Sequence, residues 1–364
     1  MLTGFAQEYR RYQSISFQAT KEQVEQALHK SQLTPDDFAA LLSPAAEAYL
    51  EALAQKAHQL TVQHFGRTIL LYTPLYLSDY CSNRCLYCGF SSQQLIPRHH
   101  LQLDQVEAEG KAIAASGLRH ILLLTGDAPK LASLDYLADC LRILRPHFAS
   151  LALEIYALDT EGYRRLALAG ADQMTMYQET YNPVRYAEVH PSGPKRDYHF
   201  RLAAPEAACQ AGMRGVNLGA LLGLSADWRS DAFFTALHAH YLVQRYPEVD
   251  ISLSFPRLRP HGGTFQAAVD VSDRNLVQFI LASRLFLPRS GLTLSTRESA
   301  NLRNHLLPLG ITKMSAGVST AVGGHTGEGE SGQFEIADRR SVAEMCSSLR
   351  EHGYQPVMKD WEPL

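Results

Sequence analysis

From Arg67 onward the chain repeats one pattern, a short β-rich run followed by a turn and an amphipathic stretch. The β-rich runs fall at 67–77, 120–126, 151–157, 173–179, 215–224, 250–256, 292–296 and 311–316. Between them, stretches such as LDQVEAEGKAIAASG, DYLADCLRILRPH and NLVQFILASRLFL carry apolar residues at helical spacing and end near glycine or proline. Strands that alternate with helices pair in parallel, and eight is the number that closes a barrel. The pattern therefore predicts an α/β fold, a (β/α)8 TIM-type barrel over 67–364 with a C-terminal extension. An open doubly wound sheet is the alternative, because a count of strands does not prove closure. Residues 1–66 predict a helical segment that plugs or flanks the barrel. There Thr34-Pro35-Asp36-Asp37 supplies an N-cap, a proline at the first helical position and acids in the first turn.

Apolar residues at 46% against 20% charged give enough material for a large core. The formal charge of -3 and the scattered Lys and Arg residues argue against nucleic acid as a partner and for a small substrate. No run reaches the length of a membrane span, and MLTGFAQEYRRYQ lacks the apolar core of a signal peptide, so a cytoplasmic protein is expected. In a reducing compartment clustered cysteines bind metal more often than they form disulfides. Cys81, Cys85 and Cys88 are clustered; Cys140, Cys209 and Cys346 are isolated in helix-like text and read as buried apolar thiols.

On a helix, the i, i+4, i+7 spacing of YCSNRCLYCGF would form one buried stripe. The β-rich run before it, the turn-like Ser82-Asn83-Arg84 and the following Gly89 place it instead on the loop leaving the first strand. There three thiolates can converge on one object. Zinc is one candidate, with His99 or His100 as fourth ligand. A [4Fe–4S] cubane is the other, and three cysteines leave one of its irons without a protein ligand, as a catalytic cluster requires.

The Cys-x3-Cys-x2-Cys loop, with Tyr87 before its last cysteine, resembles the signature of the radical S-adenosylmethionine (SAM) enzymes. The resemblance implies a [4Fe–4S] cluster on Cys81, Cys85 and Cys88 whose open iron chelates the methionine part of SAM. Reductive cleavage then yields methionine and a 5′-deoxyadenosyl radical that takes hydrogen from the substrate. It also implies that Tyr87 lies near the adenine.

In a barrel, residues at the C-terminal strand ends build the active site. Here those ends carry Thr125-Gly126-Asp127, Glu154, Tyr177-Gln178-Glu179-Thr180-Tyr181, the arginine-bearing turn Arg257-Leu258-Arg259-Pro260, and Ser295-Thr296-Arg297-Glu298. A guanidinium grips a carboxylate through two parallel hydrogen bonds, and an acid holds an ammonium or ribose hydroxyls, so this set suits a zwitterionic cofactor and an amino-acid substrate. Thr125-Gly126-Asp127 resembles the superfamily's Gly-Glu segment that meets the methionine amine, with a shorter aspartate in place of glutamate. The segment from Gly317 to Gly332, GVSTAVGGHTGEGESG, is a glycine-rich connection or a lid.

Longer stretches, among them YTPLYLSDYCSNRCLYCGF, YQETY, HPSGPKRDYHFRLAAPEAACQAG, SFPRLRP, LSTRES and KDW, resemble in register the tyrosine lyases of thiamine biosynthesis, the 2-iminoacetate synthases. That family splits L-tyrosine between Cα and Cβ into 4-cresol and 2-iminoacetate. It implies thiazole synthase as partner and a flavodoxin- or ferredoxin-type electron donor. By the same resemblance Glu179 and Arg201 hold the cofactor's amino-acid end and ribose; Tyr87, Thr125, Gly126 and Asp127 are cofactor contacts by the superfamily resemblance, and Glu154 and Arg257 by their place at the strand ends. Arg297 likewise resembles the arginine that anchors the substrate carboxylate, and Ser295 and Glu298, beside it at the same strand end, complete the expected catalytic set. The rival is the hydrogenase maturase that also cleaves tyrosine. Its C-terminal extension carries three further cysteines, whereas this sequence ends KDWEPL with Cys346 alone.

Overall fold

In the computed structural model, residues 4–258, 265–327 and 333–361 are described. Arg259 and Pro260 of the expected arginine-bearing turn, residues 328–332 of the glycine-rich segment and the last three residues lie outside them. Eight strands follow in chain order: β1 (Thr68–Ser78), β2 (His120–Thr125), β3 (Ser150–Glu154), β4 (Gln173–Glu179), β5 (Gly215–Ala220), β6 (Asp250–Ser254), β7 (Gly291–Leu294) and β8 (Lys313–Ser315). All pair in parallel with their sequence neighbours, and β8 returns to β1 through Leu71 opposite Met314. With β1 also paired to β2, Leu75 opposite Leu123, the barrel is closed and the open-sheet alternative falls.

The helices are α1 (Phe5–Tyr12), α2 (Lys21–His29), α3 (Pro35–Leu42) and α4 (Leu50–Phe65) before the barrel. Around it run α5 (Leu103–Ala115), α6 (Leu134–Leu144), α7 (Thr160–Ala169), α8 (Pro183–Val189), α9 (Tyr198–Gln210), α10 (Trp228–Arg245), α11 (Asp273–Phe286) and α12 (Ala300–Leu306), with α13 (Val342–Glu351) last. A ninth strand, β9 (Gln355–Val357), pairs with the start of β1. Leu70 faces both Lys313 of β8 and Val357 of β9, so β9 lies on the opposite edge of β1, beneath β2.

Strand alternation sorts the side chains. Leu71, Leu75, Ile121, Leu123, Leu151, Met174, Met176, Leu218 and Leu253 join the continuous apolar core with the helices. Burying one such side chain contributes about 1.5–3 kcal/mol. The alternate residues, among them Tyr72, Thr175, Tyr177, Asn217, Thr293 and Lys313, line the barrel interior, which is unusually polar for this fold. Asn217 Nδ2 donates to Ser254 Oγ at 2.7 Å and Ser252 Oγ donates to Asn217 Oδ1 at 3.1 Å, so the interior amide is satisfied across β5 and β6.

The Thr34 hydroxyl caps α3 and Pro35 opens it, as the sequence predicts. Phe38 stacks on Phe286 of α11 at 4.6 Å, and Gln278 Nε2 donates to the carbonyls of Leu41 and Ser43, which closes the C-terminal end of α3. The preface thus flanks α10 and α11 and does not plug the barrel.

Candidate active site at the barrel mouth

Ser78 ends β1, and the cysteine loop begins three residues later. Ser82 donates through its backbone N–H and its hydroxyl to the Asp127 carbonyl, at 2.9 and 2.7 Å, which ties the loop to the end of β2. Asn83 links three segments: Nδ2 donates to Asp127 Oδ2 at 2.6 Å, and Oδ1 accepts from the Lys195 backbone N–H at 2.9 Å. The close approach needs glycine. A Cβ on Gly126 would lie 2.4 Å from the Tyr80 carbonyl, and one on Gly193, at φ +99°, 2.2 Å from Asn83 Oδ1. Arg98 closes the base of the loop by donating to the carbonyls of Asp79, Phe90, Ser91 and Gln94.

The three loop cysteines are free thiols, Cys85 buried and the others half-buried. Burial pushes all three thiols up; the charge of Cys88 raises Cys81 and Cys85 further, and Cys88 packs in one apolar cluster with Cys81 and in another with Cys85, so the three border a common space. Lys195 opposes the rise at Cys85 and Cys88, and backbone N–H groups of Asn83 and Asp127 favour the Cys81 thiolate. Among the described residues no three Cys, His, Asp or Glu side chains converge closely enough for one metal ion. The proposed zinc histidines are engaged elsewhere: His99 Nδ1 faces Asp79 Oδ2 at 3.6 Å, and the His100 ring lies 4.4 Å from that of Tyr136. Buried thiols spread around one space, with N–H donors aimed at sulfur, fit a multi-iron cluster, which replaces the thiol protons and compensates the charge.

Glu179 ends β4 at φ +70°, alone among the described non-glycine residues in the left-handed region, after a register shift between Tyr177 and Glu179. Such a conformation costs about 1–3 kcal/mol and persists only where its surroundings enforce it. Here they do. Arg201 Nε donates to the Tyr177 carbonyl at 2.8 Å on one side; buried Asp231 accepts from Thr180 Oγ1 and the Tyr181 N–H, at 2.9 and 2.7 Å, on the other. The Glu179 carboxylate accepts from Lys195 Nζ at 2.5 Å and lies 3.6 Å from Arg201 Nη2. Burial alone would raise its carboxyl, but the two cations hold it below the usual value. Tyr87 lines the same cavity, and its hydroxyl meets His190 Nε2 at 2.8 Å. Burial lowers His190 to about 3; its Nδ1 lies 2.8 Å from the Tyr186 carbonyl, so the neutral ring donates there and accepts from Tyr87.

Glu154 and Arg297 line this cavity with Cys88. An adjoining recess shares Glu154, Arg297 and Phe334 with it and adds Tyr72, Tyr76, Leu122, Leu124 and Ser295. The Arg297 guanidinium lies 3.5 Å from the centre of the Phe334 ring and has no carboxylate partner among the described residues. Burial first, then the charge of Glu179, pushes the Glu154 carboxyl up to about 7. A wider cleft of ≈ 520 Å³ adjoins the mouth; Asp127, Arg201 and the shared Lys195 line it.

Cys81, Cys85, Cys88, Tyr87, Glu154, Glu179, Arg201, Ser295 and Arg297 therefore gather around the mouth, with Asp127 beside Cys81 and the Thr125 hydroxyl buried without a partner among the described residues. Arg257 and Glu298 are spent on each other. Arg257 Nε donates to Glu298 Oε1 at 2.9 Å, Nη2 reaches Oε2, and Nη1 donates to the Val271 carbonyl at 2.8 Å, so this pair fixes the β6 and β7 turns outside the cavity lining. Lys195, His190, Gln333 and Phe334 escape the sequence reading. For Lys195 a signal existed, a cation in the Gly193-Pro194 turn that precedes α9.

Comparison with known proteins agrees with this geometry. Residues 75–233 match the radical SAM superfamily and residues 254–355 the biotin and thiamin synthesis associated domain. The 2-iminoacetate synthase of Escherichia coli (strain K12) is 44% identical over 344 residues, 94% of this chain and 91% of the relative. That of Salmonella typhimurium is 42% identical over the same shares. Among solved structures, the maturase HydG of Carboxydothermus hydrogenoformans superposes with a TM-score of 0.86 at 31% identity, covering 98% of this chain and 82% of that one. A closed barrel, a three-cysteine loop after β1 and identity over nearly the whole length converge: the chain belongs to the 2-iminoacetate synthase family of radical SAM enzymes.

Proposed function

We propose that this chain cleaves the Cα–Cβ bond of L-tyrosine to 2-iminoacetate and 4-cresol within the mouth cavity, in support of thiamine thiazole formation. The observation that carries the substrate reading is Arg297, a guanidinium without a carboxylate partner among the described residues, in the cavity that Cys88 lines. When bound, the cluster on Cys81, Cys85 and Cys88 and its SAM supply the hydrogen-abstracting chemistry.

Arg297 binds the tyrosine carboxylate through its two parallel N–H groups, and the Phe334 ring keeps the guanidinium plane in place. Ser295 adds a hydroxyl at the same recess. Glu179 and Arg201, with Lys195, hold the amino-acid end and ribose of SAM; opposite charges side by side suit a zwitterion. Tyr87, fixed by His190, offers its ring face to the adenine. Leu221, Pro256, Leu258 and Phe334 line the mouth and keep water from the reacting carbon. Orientation of this kind supplies up to about 7–11 kcal/mol of the barrier in favourable cases.

Thiazole synthase consumes the imine, a flavodoxin- or ferredoxin-type protein delivers electrons, and the reaction runs in the cytoplasm. Among the described residues no helix is long and apolar enough to cross a membrane. Likeness to the HydG structures keeps a maturase-type outcome as the second reading. Anaerobic incubation with SAM, reductant and L-tyrosine decides between them. The lyase yields 4-cresol without carbon monoxide; carbon monoxide among the products selects the maturase reading.

A further inference from the structure

Glu154 stands apart from the other charged groups at the mouth. Glu179, on the neighbouring strand, has two cations within 3.6 Å. Glu154 has no hydrogen-bond or ion-pair partner among the described residues, although it lines both the mouth cavity and the adjoining recess. Its side chain is half-buried, so the carboxylate faces the cavity and not a protein partner. Its surroundings leave it open to a cation. Lys195 and Arg201 are felt at Glu154 but bonded to Glu179, Arg297 rests on Phe334, and Tyr72 and Tyr76 of β1 and Tyr177 of β4 present phenols. Two opposite charges thus face one cavity without neutralising each other.

We propose that Glu154 receives the α-ammonium of the amino-acid substrate and removes one proton from it, forming with Arg297 a two-point clamp for the zwitterionic end. The inference deepens the tyrosine reading and rests on it. In the proton step one N–H bond of the ammonium breaks, its electron pair stays on nitrogen, and the proton joins a Glu154 carboxylate oxygen. The step needs no oxidant or reductant. It leaves a neutral amine, held by its carboxylate on one side and by the Glu154 hydroxyl on the other, as the group from which hydrogen is taken. A carboxyl titrating at about 7 is matched to this exchange at neutral pH.

The test compares three ligands on cluster-loaded protein with SAM present: L-tyrosine, 3-(4-hydroxyphenyl)propanoate, which lacks the amine, and tyramine, which lacks the carboxylate. Glu154→Gln should weaken L-tyrosine at least tenfold and leave the propanoate within twofold; Arg297→Gln should weaken both acids and spare tyramine. Glu154→Asp, which keeps the charge, should fall between wild type and Glu154→Gln and serves if the amide variant folds poorly. Turnover by Glu154→Gln should also recover as pH rises towards 9, where solvent deprotonates the amine, a recovery that wild type does not show. Equal weakening of tyrosine and the propanoate, or unchanged tyrosine affinity with weakened SAM, would overturn the assignment. Wild-type protein that binds no L-tyrosine would instead overturn the proposed function.

Discussion

At the bottom of the barrel Asp172 accepts from Ser150 Oγ and from the Leu151 N–H at 2.7 Å, and it pairs with Arg214 at 2.8 Å, which in turn reaches Asp250 at 3.1 Å. His120 at the start of β2 meets Asp360 at 2.9 Å, and Arg214 lies over the Trp361 ring at 4.5 Å, so the segment after β9 covers this end. At the mouth, Glu154 and Arg297 share a cavity and neither has an ion-pair partner among the described residues. Glu179 holds a strained backbone, and burial disfavours the metal-free thiolate form of the three loop cysteines. One end uses its charges on its own structure; the other leaves them for a ligand. This division matches the general placement of stability and chemistry at opposite faces of such barrels.

The largest effect should come from the loop. Cys85→Ala leaves two thiolates for a cluster that needs three, and iron content should fall from about four per chain to below one. Iron and sulfide analysis with the visible absorption spectrum checks this; full iron content would break the mouth assignment at its base. Next comes the bottom. Asp172→Ala takes from Arg214 its buried partner, leaving exposed Asp250, and removes the acceptor for Ser150 and Leu151, at a cost of about 3 kcal/mol, the low end for a broken buried pair. The melting temperature should drop by several degrees with the KM for tyrosine unchanged, whereas a change in KM would show that the two ends are not separable.

Smaller effects are expected within the mouth. Arg297→Lys keeps the charge and loses the fork, so the KM for L-tyrosine should rise about tenfold with little change in SAM binding. An unaltered KM would remove Arg297 from the substrate site. The smallest is a pH effect at Asp231, which burial pushes up to about 7. Its carboxyl is raised above the unfolded value, so its contribution is complete below about pH 4 and is lost as pH rises through 7. Asp231→Asn keeps an oxygen for Thr180 and Tyr181, and its melting temperature should therefore decline less than that of wild type between pH 5 and 8.

Much of this fold is legible in the sequence because strand and helix periods survive in each repeat from β1 to α12. β9 is not: Gln355-Pro356-Val357 is too short to show a period, and only its pairing with Thr68–Leu70 makes it a strand. The cysteine loop is legible because its spacing is local. The Arg257–Glu298 pair is not, since two residues 41 apart in sequence each look like free site groups until the β6 and β7 turns meet. Lys195 is hidden for the same reason. Only the backbone of Asn83 beside Gly193 and the turn of Glu179 to φ +70° bring its ammonium onto the carboxylate. Phe334 enters from a segment whose text is glycine and polar residues, and its role depends on lying against Arg297.

The charges left open at the mouth hold tyrosine where hydrogen abstraction leads to Cα–Cβ cleavage. The most direct measurement is the ratio of 4-cresol to 5′-deoxyadenosine released by anaerobically reconstituted protein as L-tyrosine is increased. Cofactor cleavage should become tyrosine-dependent and the ratio should approach one; 5′-deoxyadenosine without 4-cresol at saturating tyrosine would show that these charges do not place the substrate.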